Sequence, residues 1–112
     1  MDRATILRVA GDLDRGTAAG VEREARAYIE RRGVHLVLDL SRTTFMDTAA
    51  VHLMERLSRL ACASGGNLSV VLTCRRSRNL LDLVPPNTDV DVVESVAEAV
   101  TRRPDSDLAR TA

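Results

Sequence analysis

The stretch V-H-L-V-L-D-L-S-R-T-T-F-M-D-T-A-A-V-H-L-M, residues 34–54, carries the clearest structural signal in this sequence. Residues 34–40 form an almost continuous apolar run, which is typical of a strand covered on both faces. From Thr48 onward the apolar residues follow helical spacing and predict a helix to about Ala63. An acid and a hydroxyl, Asp47 and Thr48, therefore lie where a central strand gives way to a helix.

The same alternation of strand and helix continues on both sides of this stretch. Strands separated by helix-length segments imply crossover connections. We therefore expect an α/β fold with a mixed, mostly parallel sheet of about four strands faced by about four helices. The further elements are a strand over residues 4–10 ended by Gly11, a helix with the apolar stripe Ala18, Val21, Ala25, Tyr28 and Ile29, a strand over 68–72, a helix over 75–84 stopped by Pro85, a strand over 89–93, and a last helix opened by Ser95 and Glu98.

Length and composition indicate one compact domain. The chain has 112 residues, of which 45% are apolar and 29% charged, as in ordinary globular proteins. We place the domain at residues 1–102 and a flexible C-terminal tail at 103–112. The N-terminus does not resemble a signal peptide and no apolar run reaches 18 residues, so we expect a cytoplasmic protein without direct membrane insertion.

The charge and residue types exclude several classes of function. The formal net charge is zero and the only aromatic residues are Tyr28 and Phe45, so a nucleic-acid partner is not expected. Every basic residue is Arg, which removes lysine-dependent chemistry. Cys62 and Cys74 do not have metal-site spacing, and we expect them to be buried, inert thiols.

The helix from Thr48 separates into two faces on a helical wheel. Thr48, His52, Glu55 and Arg59 fall on the side opposite the apolar stripe, so the hydroxyl should be exposed. Two interpretations remain open. In the first, Asp47 is an N-cap and Thr48 is simply the next residue. In the second, Thr48 accepts a phosphate at the positive end of the helix dipole. The buried stripe contains Ala50, Leu53, Met54, Leu57, Leu60 and Ala61.

A family resemblance extends over residues 5–102. The segments Gly11-Asp12-Leu13-Asp14, Thr17-Ala18 and V-L-D-L-S-x-x-x-F-M-D-T-A-A-V resemble the STAS domains of bacterial anti-sigma factor antagonists. The resemblance implies that Thr48 is the phosphorylation site and that the partner is an anti-sigma factor with a histidine-kinase-like ATPase domain. The unmodified protein would bind this partner and so release a sigma factor. Phosphorylation would end this binding, and a serine/threonine phosphatase would restore it.

The resemblance also implies a partner-binding surface and no catalysis by this chain. The kinase would supply nucleotide and magnesium, so we expect no catalytic residue, metal or cofactor here. The sequence departs from the family where Thr replaces the acceptor serine, where Ala49 and Ala50 replace a hydroxyl and a glycine, and where His52 replaces a second glycine. The larger side chains at positions 50 and 52 should alter which partner the protein binds. The expected partner-binding residues are Asp14, Asp47, Thr48, Ala49, Ala50, His52 and Glu55.

The chain begins near the family's second strand. We therefore expect the family's first strand to be short or missing, which would expose a sheet edge and allow a homodimer.

Enzyme classes with related folds fit the residues poorly. A response-regulator receiver using Asp39 or Asp47 needs a lysine, and a phosphatase using Cys74 needs arginine where Leu80 stands. Ser58 and Ser64 lack the glycines of a hydrolase elbow, and His35 lies in an apolar run where a local partner is expected. The remaining alternative is a STAS domain without the phosphate switch, acting as a scaffold or docking on a membrane transport ATPase.

Overall fold

The computed structural model of the chain describes residues 3–31, 33–88 and 90–101. Four strands and four helices alternate along these residues. The predicted tail at 103–112 lies outside them. The elements are β1 (Arg3–Leu13), α1 (Ala18–Ile29), β2 (Val34–Met46), α2 (Thr48–Ala63), β3 (Asn67–Val71), α3 (Arg75–Leu83), β4 (Asp91–Val93) and α4 (Val96–Thr101).

The four strands form one sheet in the order β1-β2-β3-β4, and each neighbouring pair is parallel. Each of the first three helices is the crossover that a parallel connection requires. The predicted α/β fold class is confirmed, and β2 occupies the predicted internal position.

The helices cover the two sheet faces unequally. The larger core lies between the sheet and helices α1, α2 and α3, and the smaller core lies under α4 on the opposite face. The helical stripes predicted from the sequence point into the larger core. The smaller core consists of Val37, Val71, Val93 and Ala99, with Val96 packed against it.

Both β1 and β2 are longer than the sequence predicted. Pairing of β2 with β3 ends at Asp39, whereas β1 and β2 remain paired as far as Leu13 and Met46. We call residues 10–13 and 42–46 the two-strand extension, and the part with four strands the sheet body. Gly11 was predicted to end β1, but the strand continues beyond it to Leu13. Gly11 has a φ of +83° and lies beside a register shift that the strand accommodates.

An ion-pair cluster joins the outer surfaces of α1 and α2. Glu22 accepts hydrogen bonds from Arg56 at 2.8 Å and from Arg26, one turn further along α1, at 3.2 Å. The Arg56 hydrogen bond, more than the Arg26 contact, holds the pKa of Glu22 below its ordinary value despite partial burial. These ion pairs thus link α1 and α2 at the solvent-exposed edge of the contact between the two helices.

A second carboxylate, Asp39, is buried at the end of the sheet body. Its side chain is 3% exposed, and it accepts hydrogen bonds at 3.0 Å from Arg8 Nε and from the Ser41 N–H. Burial by itself raises the pKa of this carboxyl, but the hydrogen bonds from Ser41 and Arg8 outweigh burial and leave the pKa lowered. The Asp39 carboxyl group is therefore ionised in the folded protein and is stabilised by its hydrogen bonds from Ser41 and Arg8.

Several local predictions can be compared directly with the structure. Ser95 Oγ accepts from the Glu98 N–H at 3.0 Å, which confirms the cap of α4. His35 contacts Ser69 Oγ at 2.8 Å, the local partner expected for it. The prediction of buried thiols is wrong, because Cys62 lies on the outer side of α2 and Cys74 at the start of α3, and both are exposed.

One glycine is fixed by close packing between two elements. A Cβ at Gly66 would lie 2.0 Å from the Val34 carbonyl oxygen. Every other residue type would therefore push the start of β2 away from the turn that leads into β3.

Candidate functional site

The junction of β2 and α2 has the geometry of a capped helix start. Asp47 is the N-cap in an extended conformation, and its Oδ1 accepts from the Ala49 N–H at 2.9 Å. Thr48 is the first residue of α2 and is exposed. The cap interpretation of Asp47 is confirmed, and the Thr48 side chain is accessible to another molecule.

Asp14 lies at the same edge of the sheet as Asp47. Leu13 pairs with Met46 at the end of the two-strand extension, so the next residues of both strands leave this edge together. Asp14 Oδ1 accepts from the backbone N–H groups of Gly16 at 2.9 Å and Thr17 at 3.2 Å. The register thus brings the predicted site residues Asp14, Asp47 and Thr48 to one end of the molecule.

The outer face of α2 continues the surface that begins at Thr48. His52 is exposed on this face, as the helical wheel predicted. Glu55, one turn further, is half-buried because its Oε2 accepts from the Asn87 backbone N–H at 2.6 Å. Glu55 therefore joins α2 to the loop after α3, and this contact occupies one of its carboxylate oxygens.

Ala49 and Ala50 differ sharply in exposure. Ala49 is half-buried, but Ala50 is 0% exposed and belongs to the larger core. The expectation that the methyl of Ala50 adds bulk to a contact surface does not fit this structure, because residue 50 points toward the sheet. Among the departures from the family pattern, the imidazole of His52 is the one that changes the outer surface.

Phe45 is a surface residue that the sequence reasoning did not select. Its side chain is 47% exposed, although it lies in β2 between the exposed Thr44 and the buried Met46. Alternation along a strand places Phe45 on the face opposite Met46, and Met46 belongs to the larger core. The available signal was an isolated aromatic residue after the polar run S-R-T-T.

Several carboxylates lie at the end of the molecule that carries Thr48. Asp12 is exposed beside Asp14, and its Oδ1 lies 3.5 Å from the Thr44 hydroxyl. Within the described ranges, no group of three or more His, Cys, Asp or Glu side chains is placed to hold a metal ion. Arg15 and Arg42 are also exposed at this end, so carboxylates and guanidinium groups are interspersed there.

A separate open depression lies between α3 and the end of β4. Its volume is about 470 Å³. Arg78, at its wall, donates to the Leu72 carbonyl oxygen at 3.1 Å and lies 3.7 Å from Glu94. None of the predicted site residues lines it. The lining residues are Thr73, Arg75, Arg78, Asn79, Asp82 and Glu94.

The fold and the site together define a small α/β domain that presents a capped helix start at the carboxyl edge of a parallel sheet. Residues 1–99 match the family model for the STAS domain, so the chain belongs to the STAS domain family. In the part of the chain that the structure describes, no helix is both long and apolar enough to cross a membrane.

Solved structures share this fold at low sequence identity. A candidate anti-sigma factor antagonist from Thermotoga maritima is 17% identical, with a TM-score of 0.75 over 93% of this chain and 90% of that one. The anti-sigma factor antagonist SpoIIAA in its unphosphorylated form is 17% identical, with a TM-score of 0.67 over 90% and 88%. The phosphorylated form of SpoIIAA, a Bacillus cell fate determinant, is 18% identical, with a TM-score of 0.65 over 91% and 92%.

A transport protein shares the fold as well. A sulfate transporter family protein from Wolinella succinogenes is 13% identical, with a TM-score of 0.55 over 88% of this chain and 85% of that one. The common fold therefore spans both of the settings considered for this sequence.

Proposed function

We propose that this protein is an anti-sigma factor antagonist controlled by phosphorylation of Thr48. It binds an anti-sigma factor with a histidine-kinase-like ATPase domain and frees a sigma factor, and it is a substrate and ligand rather than an enzyme. The observation that carries the proposal is the exposed Thr48 hydroxyl at the first residue of α2, directly after the capping Asp47. Asp14, Asp47, Thr48, Ala49, His52 and Glu55 belong to the proposed binding surface.

The first turn of α2 offers little stabilisation to a phosphate on Thr48. Asp47 already uses the Ala49 N–H through its carboxylate and the Ala50 N–H, at 3.0 Å, through its carbonyl. The helix dipole stabilises an anion by about 0.3 to 1 kcal/mol, and the adjacent Asp47 carboxylate opposes this. Phosphorylation should therefore leave the folding stability of the isolated domain almost unchanged.

The same phosphate has a much larger effect inside a protein interface. Burying a charged group without a counter-charge costs several kcal/mol. A loss of about 4 kcal/mol weakens a dissociation constant roughly a thousandfold. Since Asp47 is adjacent to Thr48 in the chain, the dianion adds to a carboxylate already present there. The modification is therefore expected to act on partner binding.

Intact mass spectrometry tests the assignment of Thr48. The purified chain is incubated with ATP, magnesium and each ATPase-domain anti-sigma factor encoded in its genome. We expect the addition of one phosphate to the wild type and none to Thr48→Ala. Thr44→Ala is the matched control, because Thr44 is also an exposed threonine of this end but lies before the helix. Phosphate on Thr48→Ala would contradict the assignment.

A second candidate function is a STAS domain without the phosphate switch, serving as a scaffold or as a subunit docked on a transport ATPase. The fold shared with a sulfate transporter family protein and the His52 side chain beside Thr48 favour it. Failure of every candidate kinase to modify the wild type, together with its binding to a transport ATPase, would select this function.

A further inference from the structure

We propose that Phe45 is the apolar anchor of the partner-binding surface, a role that rests on the proposed function and names the residue that supplies most of the affinity. Phe45 is one of three large apolar residues that are exposed in the described part of the chain. The other two, Ile6 and Leu83, lie in the middle of the sheet-edge strand β1 and at the last residue of α3. Phe45 alone among the three is near Thr48 in the chain.

Phe45 packs only in part against the rest of the fold, since 47% of its surface remains exposed. It belongs to neither core cluster, whereas Met46 beside it is buried in the larger one. The reason is architectural: the smaller core under α4 covers Val37 and Val71 in the sheet body, and Phe45 lies beyond the last β2–β3 pair at Asp39. The exposed part of this ring is available for contact with another protein.

Phe45 and Thr48 fit within one interface. Three residues of extended chain span at most about 11 Å, and a standard interface buries about 800 Å² on each partner. Aromatic side chains are enriched in the buried centres of such interfaces. One partner interface is therefore large enough to cover both Phe45 and Thr48, and a phosphate on Thr48 is costly where that interface excludes water.

The neighbouring acids already use part of their hydrogen-bonding capacity within the chain. Asp47 is bonded to the Ala49 N–H, and Asp14 is bonded to the N–H groups of Gly16 and Thr17. Charge-assisted bonds already made within the chain are not gained again on binding. The apolar ring remains as the main source of new burial, so the partner should offer an apolar pocket beside the place where it contacts Thr48.

Binding of purified variants to the anti-sigma factor that phosphorylates or captures the wild type tests this proposal. Isothermal titration calorimetry with Phe45→Ala should show affinity weakened about tenfold to a hundredfold, as for anchor residues elsewhere. Phe45→Tyr should retain most of the affinity because it keeps the ring. Leu83→Ala is the matched control, since Leu83 is 82% exposed and distant in the chain, and it should bind as the wild type does.

Failure of the anchor and failure of the proposed function give different results. Equal binding by Phe45→Ala and the wild type overturns the role of Phe45 while the proposed function stands. If the wild type binds none of the purified anti-sigma factors, the proposed function fails and the anchor fails with it. If Phe45→Ala turns a dimer into a monomer in light scattering, a second copy of the chain occupies Phe45, which also overturns the proposal. Unchanged thermal unfolding of Phe45→Ala is required for any loss of affinity to count in its favour.

Discussion

The sheet body and the two-strand extension are continuous in β1 and β2 but differ in how their residues are used. In the body, β2 is buried without interruption from Val34 to Leu40. In the extension, buried and exposed residues of β2 do not alternate regularly, and Arg42, Thr44 and Phe45 are exposed. β2 thus passes from a region shielded by helices on both faces into one in which several of its side chains are open to solvent.

Within one pair of strands, the residues that stabilise the fold therefore lie apart from the residues proposed to bind a partner. Buried apolar surface stabilises the body by about 25 cal/mol per Å² removed from water, and the extension has much less of it. The exposed end is free to carry Thr48, His52 and Phe45 because their side chains are not needed in the core. Substitutions in the two regions should therefore affect different measurements.

The largest expected effect is the loss of a leucine from the body. Leu38 is fully buried and pairs in register with Leu7 and Val70. Leu38→Ala should lower the free energy of unfolding by about 2 to 5 kcal/mol, because it removes burial and leaves a cavity. Urea denaturation measures this, and Leu83→Ala, at an exposed site, should change the value by less than about 0.5 kcal/mol. Equal losses for the two variants would contradict the burial assigned to the body.

A smaller effect is expected at the tip of the extension. Asp47→Ala removes the side-chain cap of α2 and should cost about 1 kcal/mol. Asp47→Asn keeps an acceptor oxygen and should restore most of that stability, with both values measured by urea denaturation. If Asp47→Ala destabilised the protein as much as Leu38→Ala, the extension would be part of the folding core and the contrast between the two regions would fail.

The smallest effect concerns Asp39, the last residue of β2 that pairs with β3. Its pKa is lowered in the folded protein from 3.8, so its ionised form stabilises the fold above that pH. This contribution is lost as the pH falls through the folded pKa. The free energy of unfolding should therefore decrease less between pH 7 and pH 3 for Asp39→Asn than for the wild type. An identical decrease would show that the Ser41 and Arg8 contacts do not stabilise the carboxylate.

Most of the body could be predicted from the sequence because its signals are local and periodic. The apolar run at 34–40, the helical stripe of α2 and the prolines after α3 each depend on residues close together in the chain. Asp47 as a cap and Thr48 as an exposed hydroxyl followed from the same reasoning. The family resemblance added the proposed role of the hydroxyl, which no spacing of residues could supply.

The extension could not be predicted because it depends on pairing between distant residues. Residues 41–45 are mostly polar and resemble a loop, and only their partners in β1 make them a strand. Gly11 resembles a strand end until a bulge accommodates it. The exposure of Phe45 and the Arg8–Asp39 pair have the same origin, since both follow from which strand lies beside β2 and where β3 stops.

The spatial order of the strands repeats their order in the chain, and this has a consequence for synthesis on the ribosome. Each strand pairs with the strand that precedes it, so every strand–strand contact of the sheet joins elements that follow one another in the chain. The groups around Thr48 come from β1, β2 and α2, in the first 63 residues. The surroundings of the proposed phosphorylation site therefore come from the elements that leave the ribosome first, and β3 and β4 complete the sheet on the other side of β2.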